Sequence, residues 1–364
     1  MQHQPALLDR PFFPHFPLLL CRNSENVALS VSNTSISDET AEWSRCLRAF
    51  LVTVAICVSL VFAFVISVDP YDSGKFGFFG IKGVADRNSV TASASRARDN
   101  SFDSAIIGNS TALLINPTRL SRATGLSFVQ LSVVGGSPRE EMTVLDFFLR
   151  HHARVGALVI GADPGWCEHY QREKPRPFPY WLYDDNRIAY AAAPFSSAAI
   201  EHAFQRVSIG LGQHQRSDPT GTFDSEDTWP IGEFRDIARP SDPPLAATAA
   251  LRNVFPEVSR LDALVKRLPA DVPVVLRVPP TLASTLAKPG TPEAAEREAC
   301  NLALKRIVVG RPRSNFINYR VDNALTRDRA NFIDYIHYRS IIANRIADGI
   351  VASLRLGEGA QIDF

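Results

Sequence analysis

Three residues in two distant segments have the side chains that a serine nucleophile and its proton-transfer partners require. Ser110 lies in the sequence GNS directly after an apolar run, and Asp334 and His337 lie three residues apart in DYIH. A serine hydroxyl is a weak nucleophile at its ordinary pKa, so it needs a base within hydrogen-bond reach, and that base needs an acceptor that orients it. A spacing of three residues brings the Asp334 and His337 side chains to one side of a turn, so His337 suits the base and Asp334 the acceptor. If the fold joins the two segments, they predict acyl transfer through Ser110.

The same residues also have a purely structural interpretation. Glycine and asparagine tolerate the left-handed backbone conformation and serine caps helices, so GNS is typical of a turn. Asp334 can cap a helix, and His337 can be a solvated histidine at a helix start. In this interpretation the polar side chains of Ser110, Asp334 and His337 point apart.

The segments around these residues alternate between short apolar runs and amphipathic stretches. SAIIG, SFVQLSVVGG and GALVIGAD are predicted strands, and SPREEMTVLDFFLRHH is a predicted helix that begins with a capping box of Ser137 and Glu140. Strand, helix and strand at this spacing indicate a βαβ unit and therefore a parallel sheet. The alternation recurs near the C-terminus, so residues 103–163 and 250–358 are predicted to form one three-layer α/β/α sandwich around a central parallel sheet.

Ligands bind beyond the carboxyl ends of the strands in an open α/β sheet, and four polar or small residues follow the predicted strands there. Ser110 follows the first strand, Gly135 and Gly136 the second, and Asp163 the third. A tetrahedral oxyanion needs hydrogen-bond donors, and the backbone N–H groups of Ser110 and of Gly135 or Gly136 are the candidates. Any tight turn from a strand into a helix also requires such glycines, so part of their signal is structural.

A nearly uninterrupted apolar segment precedes the predicted sandwich. No charged residue occurs from Ala49 to Val68. About 20 apolar residues suffice to cross the roughly 30 Å hydrocarbon core of a bilayer, so residues 46–68 are predicted to be a transmembrane helix. Arg45 and Arg48 precede the run, and the positive-inside rule then places the N-terminus in the cytoplasm and the C-terminal bulk outside. A cleaved signal peptide is the alternative, but the run is long and begins far from the N-terminus.

Composition sets the other predicted boundaries. Residues 1–45 are proline-broken and polar and are predicted to be a disordered cytoplasmic tail, and residues 69–102, rich in Gly, Ser, Arg and Asp, a linker. Residues 103–364 form the predicted α/β domain, with an insertion over 167–247 that lacks the strand–helix alternation. Such an insertion often forms a lid or a binding wall. Its aromatic residues within 178–183 suit either stacking on sugar rings or packing.

Charge and cysteine usage exclude several classes of function. A formal net charge of +1 provides no basic field for nucleic acid. No Cys-x-x-Cys or His-x-x-x-His pattern supports zinc, and neither a P-loop lysine nor GxGxxG supports a nucleotide, so no metal or cofactor is predicted. Of the five cysteines, only Cys167 and Cys300 lie in the exported part. They can form a disulfide in an oxidising compartment, with two buried thiols as the alternative.

Three of these segments together resemble sequence blocks of the SGNH (GDSL-type) hydrolase superfamily. GNS resembles its nucleophile block with Asn in place of the commoner Asp, VVGG its second block, whose glycine N–H lines the oxyanion hole, and DYIH its last block, which carries the acid and the base. The order of the blocks matches across residues 103–358. The resemblance implies that Ser110, Asp334 and His337 are catalytic.

A single membrane span that leads into such a domain is similar to the membrane-anchored periplasmic proteins of bacterial polysaccharide O-acetylation and cell-wall D-alanylation. The resemblance implies a single-pass inner-membrane protein with a periplasmic catalytic domain. It also implies an esterase or O-acyltransferase that acts through an acyl-serine on a cell-envelope glycan or exopolysaccharide. A multi-span, acyl-carrying protein is the partner that it implies.

One block departs from the pattern of the superfamily. The third block is usually Gly-x-Asn-Asp, and its Asn donates to the oxyanion, whereas GADPGW places Asp163 there. An ionised aspartate cannot donate and repels an oxyanion. Asp163 is therefore protonated, or binds a substrate hydroxyl, or only begins a turn with Pro164. It also leaves open a different class of function, a catalytically inactive scaffold or glycan-binding subunit of an envelope-modifying complex.

Overall fold

The computed structural model describes residues 36–86, 89–168, 178–193, 196–223, 234–235, 254–362 and 364. The chain divides into two compact units, Met1–Cys57 and Val58–Phe364. Every strand within the described residues belongs to the second unit, which also holds the predicted site residues.

Five parallel strands form one sheet, which confirms the predicted α/β class. The strands are β1 (Ser104–Ile107), β2 (Phe128–Gln130), β3 (Ala157–Gly161), β4 (Val274–Val278) and β5 (Asn315–Asn318). Their order across the sheet is β2-β1-β3-β4-β5, and every neighbouring pair is parallel. The order reverses between β1 and β3, and such a reversal opens a crevice at the carboxyl ends of the two strands.

The helices alternate with the strands along the chain. Within the described residues they are α1 (Ile36–Val68), α2 (Ser89–Ala97), α3 (Pro117–Thr124), α4 (Pro138–His151), α5 (Tyr180–Tyr183), α6 (Arg187–Ala192), α7 (Ser197–Gly210), α8 (Pro256–Val265), α9 (Pro292–Val308), α10 (Ala324–Arg327) and α11 (Ser340–Leu356). The predicted capping box starts α4, where the Ser137 N–H donates to the Glu140 carboxylate at 2.6 Å. This box satisfies backbone donors that the first helical turn leaves without partners.

Successive residues of a strand contribute to two separate hydrophobic clusters. Ala105 and Ile107 of β1 belong to a cluster that includes side chains of α4, α8 and α9. Ile106 belongs to a second cluster, with side chains of α3 and α11. Strands that are buried on both sides need apolar residues at every position, which explains the continuous apolar runs in the sequence.

Helix α1 contains a segment, Trp43–Val68, that is long and apolar enough to cross a membrane, with a mean hydropathy of 2.9 over an 18-residue window. The helix begins at Ile36, earlier than the predicted start at residue 46. No proline occurs between Pro17 and this helix. The polar residues before the apolar run can therefore be helical, because no proline interrupts the backbone hydrogen bonds. The predicted disorder of residues 1–45 therefore does not hold for residues 36–45, and residues 1–35 lie outside the described part.

Parts of the described residues 69–86 and 89–102 pack against the domain, unlike the predicted linker. They include α2, in which Ala92, Ala94 and Ala97 have no exposed surface. Small side chains let this short helix lie close to its neighbours. Composition rich in Ser and Ala therefore indicates close packing here and not a flexible connection.

The guanidinium of Arg206 on α7 fastens the end of α1 to the domain, in an arrangement that we call the Arg206 clasp. This side chain is only 2% exposed, and each of its five N–H donors has an acceptor. The acceptors are the carbonyl groups of Val68, Asp69, Ile81 and Gly83 and the Asp72 carboxylate. Asp69 itself ends the helix with a left-handed φ of 53°.

The described parts of the 167–247 insertion comprise α5, α6, α7 and short flanking segments. Tyr183 is fully buried, with its ring centroid 5.4 Å from that of Phe147 on α4. Trp181 packs edge-on against Tyr71, with the centroids 5.6 Å apart. These contacts favour packing over sugar stacking for Tyr183. Residues 169–177, 194–195, 224–233 and 236–247 of the insertion lie outside the described residues.

Candidate active site

Ser110 lies at the carboxyl end of β1, in a 3₁₀ turn over Ser110–Ala112. A Cβ on Gly108 would lie 2.8 Å from the Cβ of Ala112, so this tight turn requires glycine at its start. The Asn109 side chain caps the turn, because its Oδ1 accepts the Thr111 N–H at 3.0 Å and the Thr111 hydroxyl at 2.8 Å. GNS is thus a turn, as the structural interpretation predicts, and it holds a half-buried serine at the edge of the sheet.

The Ser110 hydroxyl meets the imidazole of His337 at this edge. Ser110 Oγ lies 2.8 Å from His337 Nε2, and His337 Nδ1 lies 2.6 Å from Asp334 Oδ2. The structure therefore brings together the three residues that the two sequence segments single out. When Nδ1 carries a proton and donates it to the carboxylate, Nε2 has the lone pair that accepts the hydroxyl proton.

Backbone hydrogen bonds fix the loop that carries Asp334 and His337. Asp334 Oδ1 accepts the N–H groups of Ile336 at 2.9 Å and of His337 at 2.8 Å. The Ile333 N–H donates to the His337 carbonyl at 2.7 Å, which closes the loop at its base. One carboxylate thus holds both the backbone and the ring of His337, so the imidazole is oriented before any substrate arrives.

Burial and hydrogen bonding act in opposite directions on Asp334. Burial raises the pKa of its carboxyl, but the hydrogen bonds from the His337 ring and from two backbone N–H groups outweigh burial and hold the pKa below its ordinary value. The Asp334 side chain is 6% exposed, whereas that of His337 is 31% exposed. The Asp334 carboxylate is therefore an anion sheltered from water, and the His337 ring is partly accessible to solvent.

The predicted oxyanion donors differ in what their N–H groups do. The Gly136 N–H donates to the Val133 carbonyl at 2.7 Å, so it closes the turn between β2 and α4 and is not directed at a substrate. Gly135 takes a left-handed φ of 64°, which glycine adopts without strain. The Ser110 N–H donates to no acceptor within the described residues. The Ser110 N–H thus remains a candidate donor, the role of Gly135 stays a prediction, and the Gly136 N–H has a structural partner instead.

Asp163 accepts hydrogen bonds beside the nucleophile and does not donate any. Its Oδ2 accepts from the side-chain amide of Asn109, and its Oδ1 accepts the Gly165 N–H at 3.0 Å. The second bond begins the turn with Pro164, one of the alternatives that the sequence leaves open. Because β1 and β3 are neighbours, Asp163 reaches the residue just before Ser110 and holds the amide that caps the Ser110 turn.

The charge state of Asp163 depends on pH in an accessible range. Burial raises the pKa of Asp163 to about 6, although the Gly165 N–H and the Asn109 amide favour the ionised form. Near pH 6 the residue therefore exists in both forms. Both carboxyl oxygens accept hydrogen bonds from the protein, so the ionised form supplies no donor where the superfamily pattern has Asn.

Arg277 of β4 is a buried cation beneath the Ser110 turn that the sequence analysis does not single out. It has no exposed surface, and its Nη2 donates to the Thr111 carbonyl at 3.2 Å, which also accepts from the Tyr338 hydroxyl. Its Nε and Nη1 have no hydrogen-bond partner among the described residues. A single arginine within the apolar run VVLRV is the signal that could have identified it.

Part of the insertion lies against the loop that carries Asp334. The Arg235 N–H donates to the Ile333 carbonyl at 2.6 Å. The Phe234 ring packs edge-on against Tyr335, with centroids 5.4 Å apart, and the Arg329 guanidinium lies 4.1 Å from the centroid of Phe234. Residues 234–235 therefore contact the loop that carries Asp334 and His337.

A disulfide and a cleft lie on the other side of Asp163. Cys167 and Cys300 are bonded, with an S–S distance of 2.06 Å and a Cα–Cα distance of 5.7 Å, which joins the turn after β3 to α9. The cleft has a volume of about 210 Å³. It is lined by apolar side chains, among them Val278, Leu286 and Leu304, and by charged and amide side chains, among them Arg320, Asn318 and Glu298. No group of three or more His, Cys, Asp or Glu residues in the described part is placed to hold a metal ion.

Comparisons of the chain with models of protein families, with curated proteins and with solved structures returned no match.

Proposed function

We propose that the chain is a membrane-anchored, extracytoplasmic SGNH-type acyl esterase or O-acyltransferase that acts on a cell-envelope glycan or exopolysaccharide. The observation that carries the proposal is the hydrogen-bonded line from Ser110 through His337 to Asp334, with heavy-atom distances of 2.8 and 2.6 Å. The serine and the histidine are 227 positions apart in the sequence. If these side chains only capped turns, there would be no reason for Ser110 to lie within hydrogen-bond distance of His337, or for the His337 ring to lie within that distance of Asp334.

In the proposed reaction, His337 Nε2 takes the proton of Ser110 Oγ as that oxygen attacks the carbonyl carbon of an ester. The carbonyl π electrons move to oxygen, and the N–H group of Ser110 stabilises the resulting oxyanion. The oxyanion then collapses, the ester C–O bond breaks, and His337 gives its proton to the leaving alkoxide, which leaves an acyl-serine. Water or a sugar hydroxyl attacks the acyl-serine with His337 again as base, and Ser110 leaves as the protonated alcohol.

The arrangement of the core supports a three-layer sandwich of the SGNH type. Two hydrophobic clusters separate the strand residues into two sets, with α4, α8 and α9 in one set and α3 and α11 in the other. The nucleophile follows the first strand, and the base follows the last strand. This order of elements agrees with the order of the blocks that the sequence resembles.

Two further observations support a location outside the cytoplasm. The Cys167–Cys300 disulfide is typical of oxidising compartments. The candidate span Trp43–Val68 carries Arg45 and Arg48 at its N-terminal side, which favours a cytoplasmic N-terminus under the positive-inside rule. The proposed setting is the bacterial inner membrane, with the α/β domain in the periplasm and a multi-span acyl-carrying protein as partner.

The cleft beside Asp163 supports a hydroxyl-rich acceptor. Arg320 and Asn318 supply donors, and Glu298 and Asn318 supply acceptors. A sugar offers a donor and an acceptor at every hydroxyl group, so it can pair with side chains of both kinds. An acceptor bound there lies near the residue that holds Asn109, one position before the nucleophile.

The bonding of Asp163 favours a second candidate function. Asp163 supplies no amide donor where the superfamily pattern expects one, so stabilisation of an oxyanion depends on fewer N–H groups. In this second proposal the domain binds glycan as a membrane-tethered subunit of an envelope-modifying complex and catalyses nothing.

Labelling with a fluorophosphonate distinguishes the two functions. The full chain is purified in detergent, because Val65 and Val68 of α1 are buried in the domain and a fragment cut after α1 would lose them. The probe reacts with a serine whose hydroxyl is activated by a base, and mass spectrometry identifies the modified residue. We expect modification of Ser110 in the parent protein and none in Ser110→Ala.

Two histidine variants test whether labelling depends on activation of the Ser110 hydroxyl by His337. His337→Asn removes the base, whereas His214→Asn changes an exposed histidine that takes no part in the site. We expect the labelling rate to fall at least about a thousandfold in His337→Asn and to be unchanged in His214→Asn. A folded parent protein that does not react would overturn the acyl-serine mechanism and support the binding subunit.

A further inference from the structure

Four large apolar side chains are exposed around the end of α1. Phe78 is 80% exposed, Phe79 64%, Phe204 59% and Leu211 66%. We call these four residues the apolar rim. Scattered apolar side chains are normal on a protein surface, but two adjacent phenylalanines with most of their area in water are costly.

Several contacts place the rim at the last turns of α1. The Phe78 N–H donates to the Ser67 carbonyl at 3.1 Å, so the phenylalanine pair begins beside the end of the helix. The rings of Phe204 and Phe64 lie 5.0 Å apart, centroid to centroid. Leu211 follows Gly210, where an added Cβ would lie 3.0 Å from Ile81 in the segment after the phenylalanine pair.

The exposed, uncharged part of α1 is shorter than the hydrocarbon core of a bilayer. Residues 49–63 are uncharged and exposed, and burial against the domain begins at Phe64. At 1.5 Å per residue these 15 residues span about 22 Å, whereas the hydrocarbon core is roughly 30 Å thick. The difference is about 8 Å, and apolar surface on the domain at the end of the helix would supply part of it.

Cationic side chains lie next to the rim. Lys82 and Arg216 are both exposed, and the Arg216 side chain lies against Gly83, so the two cations are close to Ile81 and Leu211. Phenylalanine and leucine side chains enter the boundary between headgroups and acyl chains, while lysine and arginine bind anionic headgroups above it. This pairing of apolar and basic groups is the chemistry of a surface that rests on an anionic bilayer.

We propose that the apolar rim enters the lipid surface, so that the α/β domain lies directly on the membrane and does not stand away from it. This inference rests on the membrane anchoring within the proposed function and does not depend on the acyl chemistry. The rim supplies the hydrophobic thickness that α1 lacks outside the domain, and Lys82 and Arg216 face the headgroups.

Quenching of tryptophan fluorescence by brominated lipids tests the proposal. Full-length protein is reconstituted into vesicles of phosphatidylcholine and phosphatidylglycerol, in which a part of the phosphatidylcholine carries bromine near the headgroup end of its chains. Three variants each add one tryptophan to the parent protein: Phe79→Trp in the rim, Ile56→Trp at the middle of residues 49–63, and Leu356→Trp at an exposed site on α11. The signal of the native tryptophans is subtracted with the parent protein.

We expect the added tryptophan of Phe79→Trp to be quenched at least about twofold more strongly than that of Leu356→Trp, with Ile56→Trp quenched as well. Quenching at Ile56→Trp but not at Phe79→Trp would overturn the rim while it leaves the membrane anchor intact. Quenching at neither position would overturn the anchor and the rim together. Fluorophosphonate labelling of Ser110 is independent of all three results, so a failure of the acyl chemistry is detected separately.

Discussion

Asp163→Asn should change how the stability of the protein depends on pH. The carboxylate accepts two hydrogen bonds, from the Asn109 amide and from the Gly165 N–H. An asparagine offers only one acceptor oxygen, so its amide nitrogen must face a donor in one of the two positions. An unsatisfied donor at a half-buried site costs about 1 to 3 kcal/mol, and this penalty applies at every pH.

The ionisation of Asp163 opposes that penalty as the pH rises. Burial raises the pKa of Asp163 in the folded protein to about 6, against about 3.9 in an unfolded chain. The folded state therefore holds its proton more tightly, and the stability present below pH 4 is lost as the pH rises through 6. At 1.36 kcal/mol per pKa unit the whole loss is about 3 kcal/mol, of which about 2 kcal/mol falls between pH 4.5 and 7.5. The asparagine variant has no such loss.

The free energy of unfolding in urea, measured on the full chain in detergent at pH 4.5, 6 and 7.5, tests this reasoning. At pH 4.5 we expect Asp163→Asn to be less stable than the parent by about 1 to 3 kcal/mol. At pH 7.5 the difference should have moved by about 2 kcal/mol in favour of the variant. Asp348→Asn, which removes an exposed carboxylate on α11, controls for the loss of one negative charge. A difference between Asp163→Asn and the parent that is constant across this range would refute a folded-state pKa near 6.

Three further substitutions test other features of the site. Gly108→Ala should abolish labelling of Ser110, because the added Cβ would lie 2.8 Å from another side chain. The control Gly125→Ala, whose Cβ would meet nothing within 4 Å, should cost only about 1 kcal/mol of stability and leave the labelling rate unchanged. Equal labelling of the two variants would contradict the requirement for glycine in the tight turn. Arg277→Met should slow labelling of Ser110 about tenfold or more, because it removes the buried cation and its bond to the Ser110 turn. Arg277→Lys keeps the cation and should retain part of the rate. A full labelling rate in Arg277→Met at unchanged stability would show that Arg277 does not support the Ser110 turn. Replacing Cys167 and Cys300 by serine opens a loop of 133 positions and should lower the free energy of unfolding by roughly 2 to 5 kcal/mol, and a variant as stable as the parent in urea would show that the bond does not constrain the unfolded chain.

The sequence predicts the sheet well because the residues of each strand form a recognisable local pattern. Strands buried on both sides are continuous apolar runs, and these runs give the parallel α/β class and the order of elements along the chain. Ser110, Asp334 and His337 are also predictable, because the chemistry of each residue type and its place at a strand end are local properties. What the sequence lacks is the pairing of distant segments, so the distance from Ser110 to His337 becomes known only from the fold.

The features that the sequence misses all depend on partners far away along the chain. Arg277 is one charged residue in an apolar strand, and its bond to Thr111 crosses 166 positions. Asp163 matches an oxyanion-hole position by order, but its bond to Asn109 makes it an acceptor. Helix α2 resembles a linker because small residues are common both in flexible segments and in helices that pack closely.

The Arg206 clasp determines how far the proposed site can travel. A flexible linker of the length of residues 69–102 would have a root-mean-square end-to-end distance of about 30 Å. A site at the end of such a linker would move through a volume of about that radius around the end of α1. The clasp prevents this movement of the chain, because the buried guanidinium binds Val68, Asp69 and Asp72 directly at the end of α1. If α1 anchors the protein in a membrane, as proposed, a site carried in this way moves with the lateral diffusion of its anchor. Its encounters with substrate are then two-dimensional, and an acyl donor that is itself embedded in the membrane meets it more often than a soluble one.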